Sequence, residues 1–209
     1  MLTRNRLEAY MAISLLHRKE SVVLTAIEIL DDLGIHGLST KELAKRQGIS
    51  EGTLFKHFKS KNEIILAVLD HFSKFDLAIF ESTLARRAEN KRAIDMIHFW
   101  VDAYATYYEN YPAITAVAQL YDVFNYDTVL SGKVKNIYSK RLDYLKQIIE
   151  EIQQAGEIKG TIDSNILADI IFGSFRTICL TWRMEGRNFS LKNKLLSTFD
   201  VIMELFRIK

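Results

Sequence analysis

The sequence predicts an all-α protein, and three observations support this fold class. The 209 residues include only one proline and nine glycines, whereas all-β chains need frequent turns rich in these residues. Apolar residues recur at the spacing of amphipathic helices along most of the chain. Two Ser-x-x-Glu capping boxes, Ser39–Glu42 and Ser60–Glu63, mark helix starts. We therefore expect helices throughout.

The helices are placed by periodicity and by cap residues. The first carries apolar residues at helical spacing up to Leu33, and Gly34 is suited to end it. The sequence leaves open whether residues 1–19 extend this helix or form an arm. Short helices are predicted from Ser39 to Gln47 and from Glu51 to His57. Longer helices are predicted over residues 61–86, 91–109, 112–124, 127–154, 164–185 and 191–207.

Composition excludes several classes of protein. Hydrophobic residues make up 48% of the chain and charged residues 26%, as in globular proteins and unlike disordered chains. No stretch approaches the roughly 18 consecutive apolar residues of a membrane-spanning helix, and no signal peptide is recognisable. We therefore expect a cytoplasmic protein that does not bind membranes. Cys179, the single cysteine, is expected to be a small buried apolar residue.

Basic charge is concentrated in one short segment. The whole chain has a net charge of only +2. Between Ser39 and Lys61, however, six basic residues stand against two acidic ones. A local excess of positive charge is the electrostatic signature of a nucleic-acid-binding segment.

The same segment has the form of a helix-turn-helix, whose second helix enters the major groove of DNA. Spacing alone would favour ordinary helix packing over a DNA-binding motif. A small core can form between the two helices from Leu43, Ala44, Ile49, Leu54 and Phe58. This leaves an outer face of Ser50, Glu51, Thr53, Lys56 and His57. Lys61, in the first turn of the next helix, is suited to bind a phosphate oxygen.

The run from Leu38 to Glu63, LSTKELAKRQGISEGTLFKHFKSKNE, closely resembles the helix-turn-helix signature of the TetR/AcrR family of DNA-binding regulators. The resemblance is strong over residues 16–76 and elsewhere rests on length, helix content and two apolar final helices. It implies DNA contacts by Ser50, Glu51, Gly52, Thr53, Lys56 and His57, with backbone contacts by Thr40 and Lys61. Phe55 replaces the tyrosine usual in the family, so the phosphate contact of that hydroxyl should be absent.

The resemblance also implies a domain organisation. We expect an N-terminal extension over residues 1–15 and a three-helix helix-turn-helix DNA-binding domain over residues 16–76, with its motif at about 39–58. A C-terminal helical ligand-binding and dimerisation domain would occupy residues 77–209. The boundary falls inside the helix that begins at Lys61, so the two units should be rigidly coupled.

The final two helices are expected to form a homodimer interface, as in the resembled family. Their apolar faces could pair into a four-helix bundle. Packing within one subunit is the alternative, but a palindromic operator requires a two-fold protein. The predicted interface residues are Ile171, Phe175, Ile178, Trp182, Leu195, Phe199, Ile202 and Phe206.

Aromatic residues are concentrated between residues 100 and 126. An aromatic stripe is more often core than pocket, but tyrosines combine an apolar ring with a hydroxyl that needs a partner, which suits a ligand cavity. The predicted ligand-binding residues are Trp100, Tyr104, Tyr107, Tyr108, Tyr121 and Phe124.

No cofactor, metal or enzymatic activity is predicted. His98 lies at helical spacing from Asp95 and Asp102, which fits a solvated helix face better than a metal site. The sequence contains no glycine-rich phosphate loop and no recognisable pair of nucleophile and base.

The predicted function is a transcriptional regulator, a repressor released from a palindromic double-stranded DNA operator by a small apolar or amphipathic effector. The alternative is a protein of the same fold that binds DNA but acts through a protein partner, without an inducer. A fully packed middle domain would favour the alternative. A cavity of roughly a few hundred Å³ would favour a sensor.

Overall fold

A computed structural model describes residues 4–89 and 92–208, with side chains from Arg18 onward except those of Ala88 and Glu89. This part of the chain is all-α, as predicted, apart from an isolated antiparallel bridge between Ile158 and Arg207. The helices are α1 (Arg4–Gly37), α2 (Thr40–Gln47), α3 (Glu51–Phe55), α4 (Lys61–Ser73), α5 (Asp76–Ala85), α6 (Asp95–Asn110), α7 (Thr115–Gln119), α8 (Tyr121–Asn125), α9 (Ser131–Gln154), α10 (Ser164–Met184) and α11 (Leu191–Phe206). Short 3₁₀ turns follow α5 and precede α7.

The long first helix continues from Arg4 through most of the predicted extension. Gly34 interrupts it with φ of 66°, a left-handed conformation that suits glycine because it has no Cβ. The chain then makes a short turn and enters α2. Residues 1–3 of the predicted extension, and the predicted helix start at residue 91, lie outside the described residues.

The three predicted N-caps of the DNA-binding segment are present. Ser39, Ser50 and Ser60 each accept a hydrogen bond from the backbone amide three residues later. The glutamates of the two capping boxes have other partners. Glu63 accepts from the amide of Lys59 at 2.6 Å, and Glu42 accepts from Nε of Arg46 at 3.1 Å.

Two predicted helices are broken. The helix expected over residues 61–86 ends at Ser73 and restarts at Asp76, and the helix expected over 112–124 is divided into a 3₁₀ turn, α7 and α8. Neither break coincides with an internal glycine or proline. Tertiary contacts described below hold the chain at the first break.

One continuous apolar core runs through the described residues, from α1 and α4 to α10 and α11. Val68, Leu69 and Phe72 on α4 are buried, as are Ile148 and Ile149 on α9. Burial on this scale supplies the main stabilisation of the fold. In the described part of the chain no helix is long and apolar enough to span a membrane.

Candidate functional site

The helix-turn-helix packs as the sequence predicts. Leu43, Ala44, Leu54 and Phe58 are buried, and Ile49 packs against them. The turn between α2 and α3 contains Gly48 with φ of 63°. The motif is also attached to α1: Arg46 pairs with Asp32 at 2.8 Å, and Gln47 donates to Thr25 Oγ1 at 2.6 Å.

The outer face of α3 and its N-cap is accessible. Ser50, Glu51, Gly52 and Lys56 are exposed, and Thr53 and His57 are half-buried. Phe55 is 47% exposed on the same short helix. These side chains therefore form a surface that a DNA groove could contact, with an exposed aromatic ring where the resembled family has tyrosine.

Two residues predicted to contact the DNA backbone have partners within the protein. Thr40 Oγ1 donates to Glu51 Oε2 at 2.6 Å, which links the first turns of α2 and α3. Lys61 Nζ donates to the carbonyl oxygen of Ile35 at 3.3 Å. Lys61 thus binds the chain at the kinked end of α1, where free carbonyls attract a cation.

Polar links at Asp31, Asn62 and Asp70 join the helix-turn-helix unit to the rest of the protein. Asp31 on α1 forms ion pairs with Arg183 on α10 and with Arg187 just beyond it. Asn62 on α4 donates to Asp127 Oδ2 at 3.1 Å. An ion pair between Asp70 and Lys133 joins α4 to α9.

A small cavity lies among α6, α7, α8, α9 and α10. Four of the six residues predicted for ligand binding line it, namely Trp100, Tyr104, Tyr108 and Tyr121. Tyr107 and Phe124 do not line it. The remaining wall is formed by Ala118, Gln119, Arg141, Phe172, Phe175, Arg176 and Cys179. The cavity has about 20 Å³ of free space, roughly enough for one water molecule.

Arg141, in the cavity lining, belongs to a buried ion pair. Arg141 on α9 donates to both carboxylate oxygens of Asp76 at 2.8 Å, and Tyr104 donates to Asp76 Oδ1 at 2.9 Å. Arg141 also makes longer hydrogen bonds to the hydroxyls of Tyr108 and Tyr121, at 3.4 and 3.3 Å. It reaches the carbonyl oxygen of Phe72 at 3.4 Å. One guanidinium therefore holds the break between α4 and α5.

Burial keeps the titratable phenols and the thiol of this wall neutral. It raises the pKa of Tyr121 to about 12, raises those of Tyr104 and Tyr108, and raises that of the Cys179 thiol to about 12. For Arg141, burial favours the neutral form, but the neighbouring tyrosines and Asp76 outweigh burial and raise its pKa. The cavity wall thus carries guanidinium cations among neutral side chains.

Sequence reasoning did not single out Asp76, Gln119, Arg141 or Arg176. One signal for Arg141 was available, because it falls at helical spacing among Val134, Ile137, Leu145 and Ile148, on the apolar face of α9. A basic residue in such a row needs a buried partner. The partner lies on another helix and cannot be read from local spacing.

The residues predicted for dimerisation lie largely inside the subunit. Ile171, Phe175, Trp182, Leu195 and Phe199 are buried in the core of a single chain, and Ile178, Ile202 and Phe206 are partly buried against it. The periodicity identified the core-facing sides of α10 and α11. The opposite sides expose large apolar residues: Ile166, Ile170, Leu180, Met184, Val201 and Leu205.

His98 on α6 lies 3.2 Å from Asp200 on α11, measured from Nε2 to Oδ1. Asp95 pairs instead with Arg92, and Asp102 pairs with Lys192. The three residues therefore do not converge. Within the described ranges no group of three or more potential metal-ligating side chains is present.

The fold and the exposed α3 define a helix-turn-helix DNA-binding protein. Residues 23–68 match the bacterial regulatory proteins of the tetR family, and residues 73–205 match the YsiA-like protein C-terminal region. The chain belongs to the TetR family of transcriptional regulators.

Three comparisons illustrate its relatives. The fatty acid metabolism regulator protein of Bacillus subtilis is 23% identical over 170 residues, covering 81% of this chain and 86% of the relative. The nucleoid occlusion factor SlmA of Idiomarina loihiensis is 23% identical over 160 residues, covering 74% and 78%. The crystal structure of FadR from Bacillus subtilis in complex with stearoyl-CoA shares the fold, with a TM-score of 0.70, 22% identity and coverage of 89% and 96%.

Proposed function

We propose that the protein is a dimeric repressor that binds a near-palindromic DNA operator and is released by a small amphipathic effector. The observation that carries this proposal is the helix-turn-helix, whose second helix exposes a polar face bearing Lys56 while its apolar face is buried. The proposed DNA contacts remain Thr40, Ser50, Glu51, Gly52, Thr53, Lys56, His57 and Lys61.

The dimer is proposed to form through the outer faces of α10 and α11. On α10 the exposed residues Ile166, Ile170, Gly173, Thr177, Leu180 and Met184 follow one another at spacings of three and four, which places them in one row. Val201 and Leu205 are large exposed apolar residues on α11. Large exposed apolar patches mark interaction surfaces, and a second copy would supply the two-fold symmetry that a palindrome requires.

The effector is proposed to bind in the cavity lined by Trp100, Tyr104, Tyr108 and Tyr121. A long-chain acyl-CoA is the first candidate, because a protein of the same fold has been crystallised with stearoyl-CoA. Such a ligand requires the cavity to open, since about 20 Å³ of free space is far below the several hundred Å³ usual for ligand pockets. The bound state would therefore differ in shape from the closed state.

The first experiment selects operator fragments from random DNA and measures their affinity for the purified full chain. We expect a near-palindrome with half-site centres about 34–36 Å apart and an affinity that falls steeply with salt, because bound phosphates release counterions. Tight binding that is independent of salt would contradict the proposal. Stearoyl-CoA should then weaken operator binding, and saturating operator should weaken stearoyl-CoA binding by the same factor.

The small volume of the cavity favours a second candidate function. A closed middle domain is what a DNA-binding protein without an inducer would have, and one relative is named a nucleoid occlusion factor. In this case the protein would act through a protein partner while bound to DNA. Operator binding would then be unaffected by stearoyl-CoA and by a metabolite library, and crosslinking on operator DNA would retain a specific partner.

A further inference from the structure

The cavity contains hydrogen-bond donors that lack partners. Gln119 Nε2 and Arg176 Nε are shielded from solvent, and neither has an acceptor among the described residues. Buried polar groups are nearly always paired, so each exception requires an explanation. Both side chains line the same small cavity, so a single bound group could satisfy both donors.

Arg176 lies between the small cavity and a larger neighbouring groove. The groove has about 440 Å³ of space and includes Lys135, Tyr138 and Asp122. Both Arg176 and Tyr121 belong to the groove and to the cavity. The Arg176 guanidinium makes a long hydrogen bond of 3.5 Å to the carbonyl oxygen of Ala118 and lies 5.7 Å from the ring centre of Tyr121. A ligand entering from the groove would meet this pair first.

The charges that line the cavity favour a ligand with an acceptor oxygen over a ligand with a cationic group. Its lining includes two guanidinium groups, Arg141 and Arg176, and no carboxylate. Asp76, outside the lining, accepts two hydrogen bonds from Arg141 and one from Tyr104, so the charge of Arg141 is compensated. Arg176 forms no ion pair among the described residues, and an ammonium group in the cavity would lie beside this uncompensated charge. A carbonyl or carboxylate oxygen would gain the two free donors and the attraction of the cations.

Building on the proposed effector function, we propose that Gln119 and Arg176 recognise the acyl oxygen of an effector whose apolar chain enters the aromatic part of the cavity. That chain would pack against Trp100, Phe172 and Phe175, which form the apolar wall. The recognised chemistry is an acceptor oxygen on an apolar chain. A free carboxylate and a thioester carbonyl both supply it.

The test compares four ligands that share one alkyl chain: laurate, lauroyl-CoA, lauryl alcohol and laurylamine, each below its micellar concentration. Binding to the full chain is measured by calorimetry and by the fluorescence of its two tryptophans, of which Trp100 lines the cavity. We expect one or both acyl compounds to bind, the alcohol to bind more weakly, and the amine to bind at least about tenfold more weakly. The comparison of laurate with lauroyl-CoA shows whether the free acid or the thioester is the recognised form.

Gln119→Leu and Arg176→Met remove the free donors but keep side-chain bulk. Each substitution should lower the affinity for the acyl ligand by about tenfold and reduce the preference of the protein for that ligand over laurylamine. The matched controls are Gln154→Leu, on the exposed side of α9, and Arg207→Met, beyond α11, which should leave ligand binding unchanged. Because Gln119 Nε2 has no partner in the unliganded protein, Gln119→Leu should also leave the unfolding midpoint unchanged or raised. A merely structural glutamine would lower it.

Three results would overturn the proposal: laurylamine binding as tightly as the tighter of the two acyl compounds, acyl binding that both variants leave unchanged, or no binding by any of the four compounds. Operator binding is measured on the same preparations. Retained operator binding without acyl binding would refute acyl-oxygen recognition and leave DNA binding intact. If the parent protein does not bind operator DNA, the proposed repressor function is refuted instead.

Discussion

Gly52 occupies an unusual position for a glycine, the first turn of a short exposed helix. A Cβ added there would contact only Ser50 Oγ, at 3.8 Å, which is an ordinary van der Waals distance. Glycine within a helix costs up to about 1 kcal/mol relative to alanine. The packing of this chain therefore gives no reason for glycine at residue 52, and close approach of a DNA backbone would give one.

We predict that Gly52→Ala has opposite effects on folding and on DNA binding. The free energy of unfolding should rise by about 0.5–1 kcal/mol, while operator affinity should fall because a methyl group occupies the space needed by the DNA. Chemical denaturation and fluorescence anisotropy measure the two quantities. Gly132→Ala is the matched control, since Gly132 lies in the first turn of α9 with no atom within 4 Å of an added Cβ. An unchanged operator affinity for Gly52→Ala would remove Gly52 from the DNA-contact surface.

Residues whose role depends on local sequence were predicted well, and residues whose role depends on other helices were not. The serine caps and the small core around Leu54 follow from spacing within a few residues. The bond from Thr40 to Glu51 and the bond from Lys61 to Ile35 join residues 11 and 26 positions apart. Periodicity carries no information about such pairs.

At the scale of helices, the break between α4 and α5 shows tertiary structure overriding local preference. Residues 61–86 contain neither proline nor glycine, so the pattern predicts one helix. In the structure, Arg141 binds Phe72 O before the break and Asp76 after it. Its guanidinium also lies 4.1 Å from the ring centre of Phe72. A single buried cation from α9 thus fixes both helix ends.

We predict that this ion pair is strongly coupled in folding. Arg141→Met should lower the free energy of unfolding by about 3–5 kcal/mol, because it leaves a buried carboxylate without its cation. Adding Asp76→Leu should recover a large part of the loss, since the uncompensated charge is then removed. Denaturant titration of the two single variants and the double variant gives the coupling energy. Purely additive losses would show that Arg141 acts through packing alone.

The last two helices show why an apolar face does not identify its partner. Both sides of α10 are apolar, and the stronger pattern belongs to the side that packs within the subunit, with Phe175 and Trp182 buried. The weaker row is interrupted by Gly173 and Thr177. Only the three-dimensional arrangement separates the core-facing side from the outer side.

We predict that Met184→Lys combined with Leu205→Lys dissociates the proposed dimer while the subunit stays folded. These side chains are 78% and 68% exposed. In a two-fold symmetric dimer each substitution is present in both subunits, so its effect on the interface is doubled. Dimer affinity should fall at least about a hundredfold, with weaker operator binding at low protein concentration. Sedimentation velocity measures the assembly, and Val129→Lys on another surface is the control. Phe199→Ala, which changes the core of the subunit, should instead lower the free energy of unfolding by about 3–5 kcal/mol. An unchanged sedimentation coefficient for the double lysine variant would refute this interface.

At the scale of the whole molecule, α10 connects the cavity to the DNA-binding unit. Phe175, Arg176 and Cys179 line the cavity, and Arg183, one turn further along, pairs with Asp31 on α1. Arg183 also donates to Thr115 Oγ1 at 3.0 Å, at the start of α7. A ligand that displaces α10 would therefore act on α1 through packed side chains. Rigid coupling through α4 was predicted from the sequence, but this second link was not.

The ion pairs of Asp31 predict how this link responds to pH. Partial burial opposes ionisation of Asp31, but hydrogen bonds and charge from Arg187 and Arg183 outweigh burial and hold its pKa below the usual value. A lowered pKa in the folded state contributes stability above the unfolded pKa of about 3.9, and this contribution is lost as pH falls through the folded value. The stability difference between the parent protein and Asp31→Asn should thus be constant near neutrality and shrink in acid. A difference that grows in acid would contradict the assignment.

The final prediction concerns coupling between effector and operator. If the proposed effector acts through α10, Asp31→Asn should leave the affinities for operator alone and for effector alone nearly unchanged. The factor by which each ligand weakens the other, expected to be about 5- to 150-fold in the parent protein, should fall. The physical reason is that a ligand shifts a two-state equilibrium only through contacts that differ between the states, and Asp31 joins the two moving parts. Asp32→Asn is the matched control, because Asp32 pairs with Arg46 inside the DNA-binding unit. The coupling factor is measured by titrating effector with and without saturating operator. An undiminished factor in Asp31→Asn would assign the coupling to the links of α4 with Asp127 and Lys133 instead.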